Sequence, residues 1–578
     1  MTSTRSPDAP TLDGEEPLRF EPPGRGSWLL LADHFPDPVT PEYARTWIPT
    51  MSAANATLAS RYGIPLAGIE GASVHGYLYL RPVPLVGSNA RAMPPAALLR
   101  LGARLHPKLR ACRSAAERAL RDRPWLAVVD DWERTVRPAW IARNIALQHT
   151  DLAAATPDEL AEHLLACRQA WYDGYVVHFE YHGSDQLPVA AYLVRGEQLG
   201  LGRHELLDAL TGWSPASVGH DETLRTLRAA VATAVGDGAP PRTLDEIRSL
   251  GEEAAEALDD HLERYGWRMV TSYDLEGRAL IELPELVVAR ITDTGSTSDP
   301  TEARAASDEV ARRLRAKVSI EDRAEFDRLL GDARATYGLR DDNGAIVGAW
   351  PVGLTRRAYL EAGRRLHESG RLLRAEHVFE LLAEEVAELL RGGHDDAPGP
   401  TLRPDAVAER AERRRAAAAA QAPLALGRPM ELPDASVLPA AMALLTQAQV
   451  LLAEDTGLTS SDRAAADDRT DVSGSGIGSG SVEGIARVAL DPAVALAEIE
   501  PGEVLVARST NPAWNAVLPL VAGLVVEEGG ALSHAAIISR ELGLPAVIGA
   551  SAATTVIRTG DRVMVDAATG TARVTDRR

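Results

Sequence analysis

Lysine is almost missing from this 578-residue chain: only Lys108 and Lys317 occur, and arginine supplies the rest of the 61 basic residues. A composition bias accounts for that without a functional reason. Cysteine is equally scarce. Two thiols, Cys112 and Cys167, make no disulfide framework and suit a reducing, cytoplasmic setting. No apolar run approaches the ~18 residues of a membrane-spanning helix, and the polar, proline-containing start (residues 1–16) does not read as a signal peptide. Positive charge is also in deficit. A net charge of −21 argues against a nucleic-acid partner, and the lack of an apolar span argues against a membrane. What remains is an ordinary globular composition, 45% hydrophobic, at a length that calls for more than one domain.

One stretch organises the chain. The apolar run Gly523-Leu524-Val525-Val526 reads as a buried strand, and Gly529-Gly530 lets the backbone turn tightly after it. Ser533 then stands where a helix N-cap belongs. Ala535, Ile538 and Leu542 share one helical face, Gly543 closes the helix, and Pro545 prevents its continuation. His534 falls in the first turn, beside N–H groups that favour an anion. A histidine that carries a phosphoryl group has use for that setting: a nucleophilic nitrogen, with donors for the oxygens it acquires.

The string Gly529-Gly530-x-x-Ser533-His534-Ala535-Ala536-Ile537-x-x-Arg540-Glu541-Leu542-Gly543-x-Pro545-Ala546-Val547-x-Gly549 resembles the swivelling phosphohistidine domain of the PEP-utilising dikinase family. The likeness continues through residues 501–507, 510–514, 560–563 and 565–566. The family includes PEP synthase, pyruvate phosphate dikinase, rifampicin phosphotransferase and phenylphosphate synthase. The resemblance implies a compact β/β/α unit and makes His534 the phosphoryl carrier, with Ser533 and Gly530 beside the phosphate.

The expected fold is therefore multidomain: a mostly α-helical, substrate-binding-like domain followed by a C-terminal β/β/α swivelling domain. Residues 1–24 read as a disordered tail, 25–454 as the helical domain, 455–481 as a flexible linker and 482–578 as the swivelling domain. Thr156-Pro157-Asp158-Glu159 supplies an N-cap, a proline at the first helical position and acids in the first turn. The helix should run through Trp171 to about residue 180, with Leu160, Leu164, Cys167 and Trp171 inward. The glycine string at 474–480 lacks the Gly-Lys-Ser/Thr ending of a P-loop and reads as a hinge. A flexible linker of roughly 25 residues spans about 25–30 Å r.m.s., a scale that suits a carrier moving between two sites.

Two further stretches resemble the rifampicin phosphotransferase type. One is Tyr265-Gly266-Trp267-Arg268, followed by Asp274 and Pro284. The other is Arg340-Asp341-Asp342-Asn343, followed by Arg356, Arg357, Arg364 and Arg365. In the family an arginine-rich strip faces the transferring phosphate, so Arg340 and Arg356 are expected on phosphate; the planar guanidinium pairs with its oxygens and stays charged. Relatives often place a lysine four residues after the first arginine. Here that position is Gly344, so the clamp is missing or supplied by Arg356 or another group. The proline-rich segment from His34 to Thr40 resembles the opening of the family's substrate-binding region. It adds His34 and Thr40 to Arg268, His178 and His182 as substrate-binding candidates. No metal-ligating set is read.

The resemblance implies that a separate ATP-grasp subunit uses ATP and Mg²⁺ to phosphorylate His534, as in phenylphosphate synthase. Residues 1–320 show no ATP-grasp glycine loop, and no alternating β/α pattern suggests a PEP barrel. The group would then pass to the hydroxyl of a small molecule in the helical domain, with His34, His178 and His182 as alternative bases. The second reading is a non-catalytic ligand-binding or regulatory protein whose phosphohistidine domain is a sensor or a relic. Gly344 favours it; the intact string from Gly529 to Gly549 opposes it.

Overall fold

Helices dominate the chain as far as residue 453, and a strand-rich unit follows. The computed structural model describes residues 18–32, 34–87, 96–214, 222–236, 238–292, 300–392, 402–420, 422–428, 437–453, 470–478, 480–490, 492–510, 514–515, 517–530 and 533–577. Residues 1–17 of the expected tail (1–24) and most of the expected linker (455–481) lie outside them, whereas Phe20 packs on His75 and Tyr77 and Gly24 accepts the Trp28 indole N–H at 3.1 Å. Among the described residues no helix is long and apolar enough to cross a membrane.

The helical part is built around Pro157–Tyr181. The Thr156 hydroxyl accepts the Glu159 N–H at 3.3 Å and the Glu159 carboxylate accepts the Thr156 N–H at 2.8 Å, a reciprocal cap that starts the helix where the sequence says it should. Leu160, Leu164, Cys167 and Trp171 are all fully buried. Helices Pro41–Tyr62 and Trp350–Glu368 pack against it. So does a wide π-helical turn, Gly344–Ala349, which brings the Val347 carbonyl against Gly174; a Cβ on residue 174 would sit 1.9 Å from that oxygen.

This part is not helical throughout. Strands β1 (Ser27–Leu30), β2 (Leu66–Val74), β3 (Tyr77–Pro84) and β4 (Ala425–Gly427) form an antiparallel sheet in the order β2-β3-β1-β4. His75 and Gly76, both at positive φ, make the tight turn between β2 and β3. Proline and glycine within β2 and β3 mask the alternation that marks a strand. The partner of Trp28 is Leu426, far beyond any local pattern.

The C-terminal unit is one eight-stranded sheet. Its strands are β5 (Asp471–Ser473), β6 (Ser475–Ile477), β7 (Ser481–Val488), β8 (Val504–Ala507), β9 (Gly523–Val526), β10 (Ala546–Ile548), β11 (Arg562–Asp566) and β12 (Thr571–Asp576). They run in the order β5-β12-β11-β7-β8-β9-β10-β6, with β7 to β10 parallel. The two end strands, β5 and β6, are separated only by Gly474, so the sheet curls until its edges meet. The first part of the glycine string is thus sheet and not hinge. Its glycines answer close backbone contact: a Cβ would lie 2.3 Å from the Ile548 carbonyl at Gly474 and 1.8 Å from the Ala567 carbonyl at Gly476. The helix expected near residues 515–521 shrinks to one 3-10 turn, Leu518–Leu520.

Candidate active site

His534 opens a nine-residue helix, His534–Leu542, with the boundaries its caps demand. Ser533 accepts the Ala536 N–H at 3.4 Å, and Gly543 closes the helix at φ 64°. Gly530 contributes its carbonyl to the Ser533 N–H at 2.8 Å. Gly529, at φ 126°, has no room for a side chain: a Cβ would lie 2.8 Å from the Ser533 hydroxyl. The imidazole is gripped on both edges. Nδ1 lies 3.1 Å from the Thr510 hydroxyl and Nε2 2.6 Å from Asn515 Oδ1.

The far end of the same helix joins the two parts of the molecule. Arg540 and Glu541 are both buried. Glu541 accepts the Gly212 N–H at 2.9 Å, and Arg540 lies 3.9 Å from the Asp208 carboxylate. Burial pushes the Glu541 carboxyl up to about 7, against the opposing pull of the Gly212 and Ser214 amides.

This docking sets His534 in the wall of a cavity of about 310 Å³. His34, His178, His182, Arg268 and Arg340 line the same cavity. Only His178 and His182 share an element, the end of the Pro157–Tyr181 helix; the fold brings the others to them. Phe35, Tyr43, Trp47, Tyr175, Phe179 and Tyr273 supply an aromatic wall. The Tyr43 and Tyr175 hydroxyls are 3.2 Å apart. Among the described residues no group of His, Cys, Asp or Glu side chains has the arrangement to hold a metal ion.

Electrostatics keep the imidazoles neutral. Burial, then the charges of Arg340 and His34, bring His534 down to about 3. His182 falls to about 3 for the same reasons. His178 falls to about 3 through burial, His182 and Arg340, partly offset by its hydrogen bond to Asn343. Arg340 is thus a positive charge acting on three imidazoles. Its neighbouring carboxylates are engaged elsewhere: Asp342 accepts from Trp132 at 2.8 Å and Arg137 at 3.0 Å, and Asp341 accepts from Ser214 at 3.0 Å. Among the described residues no hydrogen bond or ion pair holds the Arg340 guanidinium. It is exposed, ready for an oxyanion.

Two expected site residues have other tasks. Arg356 is buried in a two-pronged pair with Glu282 (2.8 and 2.9 Å) and donates to the Leu275 carbonyl at 2.6 Å; it does not line the cavity. Its companions in the strip fasten local structure. Arg357 donates to the Gln148 and Thr150 carbonyls, Arg364 to Glu361 and Glu368, and Arg365 to Glu361 and the Leu152 and Ala155 carbonyls. Thr40 caps the Pro41–Tyr62 helix, and its N–H and hydroxyl both donate to Asp274, at 2.7 and 2.6 Å. Arg268 does line the cavity, stacked over Tyr265 at 3.9 Å. Sequence reasoning missed Asn515 and Asn343 and gave Thr510 no role. Thr510 lies in the upstream part of the resembling string, but nothing in residue spacing points to the asparagines.

Residues 499–570 match the PEP-utilising enzyme mobile domain, and residues 218–341 match the rifampicin phosphotransferase fourth domain. The first match contains His534 and both of its hydrogen-bond partners; the second ends just past Arg340. Both matches are to modules found in PEP-utilising dikinases, the family that the string around His534 resembles. Over 344 residues it is 32% identical to the rifampicin phosphotransferase of Streptomyces sviceus, which covers 57% of this chain and 35% of that protein. Over 358 residues it is 29% identical to the uncharacterized phosphotransferase YvkC of Bacillus subtilis, covering 60% and 40%. Over 88 residues it is 47% identical to the probable phosphoenolpyruvate synthase of Staphylothermus marinus, covering 15% and 11%. The chain thus spans little more than a third of the length of the longer-matching dikinase-family relatives.

Proposed function

We propose that this chain is a phosphotransferase in which His534 carries a phosphoryl group to the hydroxyl of a small molecule held in the cavity. The observation that carries this reading is the shared cavity: the expected carrier shares it with two neutral imidazoles, His178 and His182, and one uncommitted arginine, across an aromatic wall. ATP, with Mg²⁺, loads the histidine on a separate ATP-grasp protein.

The hydrogen bonds of His534 indicate which nitrogen transfers. Thr510 is buried and does not line the cavity, whereas Asn515 does. Nε2 is the nitrogen on the cavity side; as docked it donates to Asn515 Oδ1, and it offers its lone pair once the ring proton has moved to Nδ1, which then donates to the Thr510 hydroxyl. Asn515 then presents its amide nitrogen, or swings aside for phosphorus. Transfer of this kind depends on in-line placement and charge stabilisation rather than on new covalent chemistry. Arg340 supplies the charge, and the N-terminus of the His534 helix adds to it. The aromatic wall suits an acceptor with a flat apolar body.

The test is phosphoryl labelling with β-labelled ATP, in buffer alone and with native-cell extract, with His534→Ala as the control. Acid-labile label that needs both extract and His534 is the expected result. Label in buffer alone would place the ATP site on this chain. No label with an extract shown to be active would favour the ligand-binding reading instead.

A further inference from the structure

Besides His534, three histidines line the cavity, and the hydrogen bonds around them are not equivalent. Asn343 is buried, and its amide nitrogen donates to the Leu339 carbonyl at 2.5 Å. That bond fixes which way the amide faces and turns Oδ1 toward His178 Nδ1, also at 2.5 Å. A carbonyl oxygen only accepts, so Nδ1 of His178 carries the proton and Nε2 keeps its lone pair. Asn343 does not line the cavity, whereas His178 does, so Nε2 is the nitrogen on the cavity side. The ring packs beside Gly344, where a Cβ would meet it in ordinary contact, 3.4 Å from His178 Cε1 and 3.7 Å from Nδ1. The other two imidazoles are less suited. His182 Nε2 is buried without a hydrogen bond, and among the described residues no hydrogen bond fixes that ring's tautomer. His34 is exposed on its loop and stacks on Tyr273, with ring centroids 6.2 Å apart.

Resting on the phosphoryl-transfer reading above, we propose that His178 is the general base that takes the acceptor's proton, and that Asn343 positions it. The acceptor O–H proton goes to His178 Nε2 as the oxygen forms its bond to phosphorus. The bond from phosphorus to His534 Nε2 breaks, and its electron pair returns to that nitrogen. His534 is left neutral with Nδ1–H on Thr510, the product is a phosphate monoester, and His178 is left as an imidazolium that gives its proton to solvent. The negative phosphoryl group beside it favours that imidazolium while it lasts.

The experiment loads His534 with labelled phosphoramidate, a small phosphoryl donor, using His534→Ala to subtract label on other histidines. Release of label is timed to water and to phenol, an aromatic hydroxyl probe. His178→Gln should load as the wild type does and release label about 100-fold more slowly. Asn343→Asp, which still accepts from Nδ1–H, should keep most of the rate, and Asn343→Leu should lose it. Nitrogen NMR gives a readout free of turnover: His178 should show a protonated Nδ1 and a bare Nε2 in the wild type, and lose that pattern in Asn343→Leu. Release from His178→Gln at the wild-type rate, or an Nε2–H tautomer in the wild type, overturns the proposal. A wild type that takes label neither from phosphoramidate nor from ATP with extract overturns the carrier reading, and the base assignment with it.

Discussion

Arg340 and Arg356 lie on neighbouring helical segments and look alike as letters, yet their surroundings assign them opposite tasks. Arg340 has no carboxylate partner among the described residues and acts through its charge on His534, His178 and His182. Arg340→Gln should leave the denaturant midpoint unchanged and slow label release by about 10²–10³, the usual effect of losing one donor to a developing oxyanion. Arg356 is held by Glu282, whose carboxyl it keeps below the usual range in spite of burial. Arg356→Gln strands that carboxylate and should cost about 3 kcal/mol of folding stability. Urea unfolding beside the release assay separates the two; a stability loss confined to Arg340→Gln would reverse the assignment. Sequence placed both arginines on phosphate because the strip is visible as a pattern, whereas Glu282 is 74 residues away and shows only in the fold.

At the scale of elements, what could be read ahead is what the chain decides locally. The caps of His534–Leu542 and Pro157–Tyr181 depend on residues three or four apart, and both helices begin where Ser533 and Thr156 place them. The apolar runs of β8 to β11 were legible for the same reason. The sheet of β1 to β4 was not: proline and glycine mask the β2–β3 hairpin, and the β1–β4 pair joins the two ends of the helical domain. The string at 474–478 misled because glycine density signals flexibility and close backbone approach alike. Gly174 shows the second use inside a helix. Its missing side chain lets the Val347 carbonyl in, and one helical turn later His178 faces the turn that carries Gly344. Gly174→Ala should drive the Pro157–Tyr181 helix and the π-helical turn apart, cost about 3 kcal/mol, and slow release by moving His178 from its partners. Calorimetry and the release assay check this; an unchanged melting temperature would mean that the two elements are not pressed together there.

For the molecule as a whole, the question is what holds the C-terminal domain against the helical domain, since on the proposed function it must also leave. Two titrating groups at this contact oppose one another. His534 is held at about 3 when docked, against an ordinary value near 6.5. As pH falls below that ordinary value the open state binds the extra proton, so the docking that His534 permits is fully present above about 6.5 and is lost toward 3. Glu541 is raised to about 7 from 4.5. Its neutral form favours docking, in full below about 4.5, and that share is lost as pH rises through 7. Between about 4.5 and 6.5 the two losses offset one another, so docking should be tightest across that window, weaker toward pH 3 and slightly weaker above 7. Energy transfer between dyes placed on the two parts measures it. Glu541→Gln keeps an acceptor for the Gly212 N–H without the charge, so the loss between about pH 4.5 and 7 should vanish while the acid limb stays. If the docked fraction is flat with pH, or that loss survives Glu541→Gln, then the buried carboxyl is not what releases the carrier.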